Sequence, residues 1–233
     1  MAAVLKEAEN REEAKVEKYN IDYTKYDKLT ALTFDDGPNT TITPMVIEKL
    51  KKYRIVGSFF VIGSNINNES AQMIKNACAI GCEIGNHSLV HADMTKMTAD
   101  EIKNDIAVTS QKISDITGKA PAFFRPPYIA VNDTMFENTE MPFIAGIGAN
   151  DWEPDVSAEE RAGLILDRVK DGDIILLHDM ENNYATVEAL DRIIPELLER
   201  GCGFVTVSEL FKAKGVEPQK RVVYSNALQT SAY

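Results

Sequence analysis

The sequence holds three histidines, and each follows a short apolar run. His87 and His91 lie in His87-Ser88-Leu89-Val90-His91, and His178 closes Ile174-Ile175-Leu176-Leu177-His178-Asp179. Two imidazoles four residues apart share a face if the segment is a helical turn, and can then grip one cation. The same spacing serves ordinary core or surface histidines. Asp35 and Asp36, in Thr33-Phe34-Asp35-Asp36-Gly37-Pro38, strengthen the metal reading. Two histidines and one carboxylate with an open fourth position make a hydrolytic metal site. Adjacent residues on a turn point differently, so one Asp can bind metal while the other stays free as a base. Asp, Gly and Pro also form turns, and the segment is read as a turn as well. In Phe124-Arg125-Pro126-Pro127-Tyr128 two prolines follow an apolar run, giving a stiff loop that leaves particular N–H groups free. Asn150-Asp151-Trp152 contains the only tryptophan, whose polar neighbours point to a rim position. His178 is either a core histidine satisfied by its neighbours or a titratable group at a site.

These residues need elements that bring them together. Apolar, β-branched or aromatic runs at 31–34, 58–62, 83–85, 122–124, 143–147, 174–177 and 204–207 read as seven strands. Helical signals lie between most of them. Thr43-Pro44 offers an N-cap with Pro at the first helical position. Thr98 with Glu101, and Ser157 with Glu160, have capping-box spacing. Ile102, Ile106, Ile113 and Ile116 share a helical face; Leu190, Ile193, Ile194 and Leu197 repeat it, with Gly201 as a stop. Strands alternating with helices imply parallel pairing and right-handed crossovers. The expected fold is α/β, a distorted, seven-stranded (β/α) barrel. In such a barrel the strand ends open on one face, where the active site is built. Asp35, Asp36, His87, His91, Arg125, Asp151, Trp152 and His178 all fall at those ends. The expected organisation is a charged leader or linker at 1–29, with a solvated helix or linker remnant at 2–19. A catalytic domain at 30–215 and a tail at 216–233 packing on the barrel follow.

Hydrophobic residues make up 44% and charged residues 26%, a globular balance that argues against disorder. The net charge of −11 disfavours nucleic acid and anionic membranes as partners. No apolar run reaches the roughly 18 residues of a membrane helix. Residues 1–20 lack the continuous apolar core of a signal peptide, which suits a cytosolic protein or a domain of a longer secreted chain. Cys78, Cys82 and Cys202 are odd in number and read as buried structural thiols.

TFDDGP, HSLVH, FRPPY and LLHD, in this order and at these separations, resemble the polysaccharide deacetylase superfamily, carbohydrate esterase family four, over residues 30–211. The resemblance implies one divalent cation, zinc first, with cobalt, manganese or nickel as alternatives. Asp36, His87 and His91 would be its ligands. Asp35 would be the catalytic base with Arg125 as its charge partner, and His178 the catalytic acid oriented by Asp151. The Tyr128 backbone N–H would help bind the oxyanion, and Trp152 and Leu176 would wall the acetyl-methyl pocket. Two departures stand out: Ile129 replaces the usual glycine, and the segment before Trp152 reads Gly-Ala-Asn-Asp, without one customary Asp. FRPPY, ANDWEPDVSAEERAG and EALDRIIPELLERG look most like the acetylxylan esterase branch of bacterial xylan-degrading systems. The expected activity is therefore hydrolytic removal of O-acetyl groups from xylan, by an extracellular monomer or one module of a larger xylan-degrading enzyme. N-deacetylation of chitin oligomers or peptidoglycan is the alternative. A non-catalytic carbohydrate-binding domain and an Asp-nucleophile phosphohydrolase are rivals of other classes. The intact Asp35, Asp36, His87, His91 and His178 argue against the first. The absence of a residue between Asp35 and Asp36 argues against the second.

Overall fold

A computed structural model describes residues 18–19 and 21–230. Eight strands form among the described residues: β1 (Lys28–Asp35), β2 (Ser58–Val61), β3 (Glu83–Asn86), β4 (Phe143–Ile144), β5 (Ile147–Gly148), β6 (Ile174–His178), β7 (Cys202–Val205) and β8 (Val223–Tyr224). The helices among the described residues are α1 (Ile42–Tyr53), α2 (Ser70–Ile80), α3 (Ala99–Thr117), α4 (Asp133–Glu137), α5 (Ala158–Leu166), α6 (Tyr184–Glu199) and α7 (Val207–Lys214).

All strand pairs are parallel, and β1 is the hub. It is buried along all but its first residue, so both faces must be covered. Leu32 and Phe34 pack outward with Ile42, Val46 and Leu50 of α1. Leu29 and Ala31 pack inward with Phe60 and Ile174. At Ala31 the cross-strand partners are Ile174 and Val205; at Thr33 they are Ser58 and Leu176. A strand has two edges, so β7 and β2 share one, β7 along its first half and β2 along its second. The Val207 N–H donates to Ser58 Oγ at 3.0 Å across the seam between them. β6 runs along the other edge. The ring continues from β3 through single bridges, Asn86 to Phe124 and Phe124 to Phe143, and returns through β5 to β6. The protein is thus an α/β fold, a distorted (β/α) barrel.

The differences from the expected strands have local causes. The run at 122–124 contributes only the Phe124 bridges, because Pro126 and Pro127 have no N–H to extend a ladder. The run at 143–147 splits into β4 and β5. Between them, a Cβ at Gly146 would sit 2.7 Å from Ile174 O, so only glycine lets the backbone pass. The strand expected at 204–207 lies at Cys202–Val205, because Thr206 is already the N-cap of α7, in a capping box with Glu209. The boxes at Thr98–Glu101 and Ser157–Glu160 both form. The N-cap expected at Thr43 does not form, because the helix already starts at Ile42. Asn39 Oδ1 accepts from the Thr41, Ile42 and Thr43 N–H groups, and the Thr43 hydroxyl turns inward to Asp179. β1 starts at Lys28, three residues before the expected run at 31–34, because Lys28–Ala31 pair with β7. Apart from residues 18 and 19, the stretch 2–19 lies outside the described residues. Val223 and Tyr224 pair with β4, and the Ala145 N–H donates to Tyr224 O at 2.8 Å. Cys82 and Cys202 are buried and Cys78 half-buried, all as free thiols. No helix among the described residues is long and apolar enough to cross a membrane.

Candidate active site

Strand periodicity assembles the first pair. Side chains two apart share a face, so Ala31, Thr33 and Asp35 point inward together, as do Ile174, Leu176 and His178. The β1–β6 register sets Thr33 beside Leu176 and Asp35 beside His178. Strict alternation would send Asp36 outward. Its positive φ of 74° turns the chain instead, and both carboxylates face the site. Asn65 Nδ2 donates to Asp36 O at 2.8 Å and the Ile62 N–H to Gly37 O at 2.9 Å, pinning this turn. Asp179, wholly buried, accepts from the Gly37 N–H at 3.1 Å and from the Thr43 hydroxyl. Burial pushes its carboxyl up to about 7, with the Thr43 hydrogen bond opposing.

The two metal-candidate histidines do not lie on a helical turn. Ser88 and His91 both have positive φ, 67° and 55°, and the segment is a folded loop after β3. The loop is held from several sides. The Ser88 N–H donates to Asn86 Oδ1 at 2.8 Å, the Leu89 N–H to Asp105 Oδ1 at 2.8 Å, and the His91 N–H to Ser88 Oγ at 2.9 Å. His87 Nε2 lies 3.4 Å and His91 Nε2 3.5 Å from Asp36 Oδ1. Ligands of a tetrahedral cation at about 2.0–2.1 Å stand about 3.3–3.4 Å apart, so the spacing fits a divalent metal. Asp36 Oδ1 is buried and has no hydrogen-bond partner among the described residues. His87 Nδ1 lies 2.7 Å from Arg125 O. A carbonyl only accepts, so Nδ1 carries the proton and Nε2 offers its lone pair. Burial, and then the neighbouring His87, push His91 below the ordinary imidazole value, which keeps it unprotonated at neutral pH. Among the described residues, Asp36, His87 and His91 form the one such cluster.

Behind this cluster Arg125 is wholly buried. Its Nη1 reaches Asp35 Oδ1 at 2.5 Å and Thr33 Oγ1 at 2.8 Å, and its Nη2 reaches Ala145 O at 2.6 Å. Its guanidinium stacks over Phe60, 4.1 Å from the ring centre. Burial works against this charge, and the Asp35 carboxylate supports it. On the other side, Asp151 Oδ1 accepts from His178 Nδ1 at 2.8 Å and Oδ2 accepts the His178 backbone N–H at 2.8 Å. Burial would lower the His178 value, but the hydrogen bond and charge of Asp151, aided by Asp35 and Asp36, raise it to about 9.

Asp35, Asp36, His87, His91, Tyr128, Ile129, Trp152, Leu176 and His178 line one cavity of about 480 Å³. A second cavity, of about 570 Å³, meets it at Asp36 and His91, so the space is open on both sides of the cluster. Trp152 is half exposed, and its ring stands edge-on to His178 at 5.6 Å. Leu176 is buried in the floor. The Tyr128 ring packs edge-on to His91 at 4.7 Å, and its backbone N–H meets no acceptor among the described residues. Tyr128 and Ile129 are consecutive left-handed residues, φ 59° and 54°. At Ile129 this is a conformation a β-branched residue rarely adopts. Sequence reasoning missed Asp179, Asn183, Thr186 and Arg161, all buried polar residues behind the catalytic face. Asp179, next to His178, was the only one with a local sequence signal.

The polysaccharide deacetylase family matches residues 22–141, just over half the chain. A bifunctional xylanase/deacetylase of Pseudobutyrivibrio xylanivorans is 50% identical over 195 residues, 84% of this chain. The chain spans only 32% of that relative's length. A peptidoglycan-N-acetylglucosamine deacetylase of Bacillus cereus is 35% identical over 195 residues, 81% of this chain and 90% of its own. The structure of a family 4 acetyl xylan esterase from Clostridium thermocellum, in complex with a cobalt ion, superimposes with a TM-score of 0.84. It is 43% identical and covers 87% of this chain and all of the esterase chain. Sequence, fold and metal-ready cluster agree, and the chain belongs to the polysaccharide deacetylase family, carbohydrate esterase family four.

Proposed function

We propose that the protein removes O-acetyl groups from xylan by metal-assisted hydrolysis. The observation that carries this reading is the Asp36, His87, His91 cluster flanked by Asp35 and His178, two register partners facing one cavity. Asp36, His87 and His91 hold the cation, zinc by their His₂-carboxylate chemistry. The cation supplies Lewis acidity toward the acetyl carbonyl and toward water. Asp35, fixed by Arg125, takes the proton of the attacking water. The Tyr128 N–H donates to the carbonyl oxygen as negative charge builds there. His178, protonated through Asp151, hands its proton to the departing sugar oxygen. Trp152 and Leu176 enclose the acetyl methyl.

The xylan assignment is supported by the relatives. The xylanase/deacetylase and the acetyl xylan esterase are nearer in sequence than the peptidoglycan deacetylase. The partner is then an acetylated polysaccharide, met outside the cell by this unit as one module of a larger xylan-degrading enzyme. The test is acetate release from acetylated xylan beside N-acetylglucosamine oligomers, with and without chelator. Chelator-sensitive release mainly from xylan is expected. Higher kcat/KM on the N-acetyl oligomers would move the assignment to N-deacetylation, and no acetate from either would leave a carbohydrate-binding role.

A further inference from the structure

Arg161, in the first turns of α5, is 2% exposed, and no ion pair joins it to a carboxylate among the described residues. Its guanidinium nonetheless makes four hydrogen bonds. Nε donates to Val156 O at 2.8 Å and Nη2 to Glu153 O at 3.0 Å. Nη1 donates to Thr186 Oγ1 at 2.9 Å and to Asn183 Oδ1. Burial acts against its charge, and Asp151 supports it. An arginine only donates, and this sets the direction of every bond beyond it. Thr186 accepts from Arg161, so its single proton goes to Asp151 Oδ2, 2.7 Å away. Asn183 presents its oxygen to Arg161, so its amide nitrogen faces His178 O at 2.9 Å and Asp151 Oδ2 at 3.4 Å. With the His178 backbone N–H, three donors then converge on Asp151 Oδ2. That leaves Oδ1 to His178 Nδ1.

We infer that Arg161 is a positioning residue for proton delivery: through Thr186 and Asn183 it orients Asp151, and thereby aims His178 at the leaving oxygen. Its two backbone bonds also tie 153–156 to α5, fixing the loop that carries Asp151 and Trp152. The inference rests on the reading of His178 as the acid.

The test compares Arg161→Met, Arg161→Lys and Thr186→Val with wild type on acetylated xylo-oligosaccharides and on an aryl acetate. Thr186→Val cuts the link to Asp151 while leaving the backbone clamp whole, so it remains informative if Arg161→Met fails to fold. Each variant should lose about tenfold on the sugar ester, part of the roughly 10²–10⁴ that complete loss of an acid costs. Loss on the aryl acetate, whose phenoxide needs little protonation, should be under threefold. In an Asp151→Asn background the Arg161→Lys and Thr186→Val losses should largely vanish. Equal losses on both substrates, or full additivity with Asp151→Asn, would overturn the inference. His178→Ala run in parallel separates the two readings. If His178→Ala is leaving-group selective and the Arg161 and Thr186 variants are not, only this inference fails. If His178→Ala is not selective either, the acid assignment has failed as well.

Discussion

Asp151→Asn tests how His178, the proposed acid, is held protonated. His178 is raised from 6.5 to about 9, equivalent to about 3 kcal/mol in favour of imidazolium. At pH 8 a group with that value is about 90% protonated. An amide at 151 removes the charge and cannot satisfy all the donors that converge there. Turned toward Oδ2, its nitrogen would confront the His178 N–H, Thr186 and Asn183; turned toward Oδ1, it confronts His178 Nδ1 alone. The second orientation is less costly and forces Nδ1 to accept, so the imidazole stays neutral. Burial then acts unopposed by Asp151 and pulls the value down. An imidazole at the ordinary value of about 6.5 is about 3% protonated at pH 8, so a full return to it is a loss of about thirtyfold from protonation alone. A bound cation offsets the shares due to Asp35 and Asp36 in both proteins alike, so the comparison isolates Asp151. The assay is kcat/KM on acetylated xylo-oligosaccharides from pH 5 to 10. Wild-type activity should fall as pH rises through the His178 value, and in the variant this alkaline limb should move down by at least one pH unit. An unmoved limb, or an equal loss on an aryl acetate, would refute the reasoning.

Three further outcomes are expected. Asp35→Asn keeps its shape but has no basic lone pair for a water proton, so kcat should drop about 10²–10⁴-fold while cation binding by calorimetry is retained; a loss below tenfold would make Asp35 structural. His91→Ala removes one ligand from a partly exposed loop, so cation affinity should fall strongly with little change in Tm; full activity in a demonstrably metal-free preparation would sink the metal assignment. In Gly37→Ala the new Cβ would lie 2.5 Å from Asp179 Oδ2, and that buried carboxyl is held by Gly37 N–H and Thr43. Such crowding costs about 1–3 kcal/mol, lowering Tm and, by displacing Asp36, cation affinity; an unchanged Tm and affinity would show that the turn yields freely.

The sequence made the site more legible than its scaffold. Asp35, Asp36, His87, His91, Arg125, Asp151 and His178 carry their chemistry in their side chains and sit where strands end, so residue type and strand order suffice to bring them together. The loop geometry was not readable that way. Four-residue spacing suits a helix, yet Ser88 and His91 take left-handed conformations because Asn86, Asp105 and Ser88 itself capture the loop's N–H groups. The β7–β2 shared edge of β1 depends on long-range pairing, which leaves no local period. Arg161, Asn183 and Thr186 escaped for the same reason. Their partners lie far along the chain, and a buried arginine reads in sequence like a solvated one.

The last strand bears on how such a unit can be moved between proteins. A natural place to cut is Gly215, where α7 ends in a left-handed glycine. Yet β8 lies beyond it, paired to β4, and Tyr224 O accepts from the Ala145 N–H. Ala145 and Ile144 in turn present the carbonyls that grip Arg125 Nη2 and Nε, and Arg125 grips Asp35. Tail, edge strand, Arg125 and Asp35 form one mechanical line. A graft ending at Gly215 would carry every residue of the proposed site and still lose the brace behind Asp35. The transferable unit therefore extends through Ala227, whose N–H docks on Gly172 O at 2.8 Å and closes the tail against the barrel. In recombination or domain fusion, selection would act on that far end as though it were part of the active site.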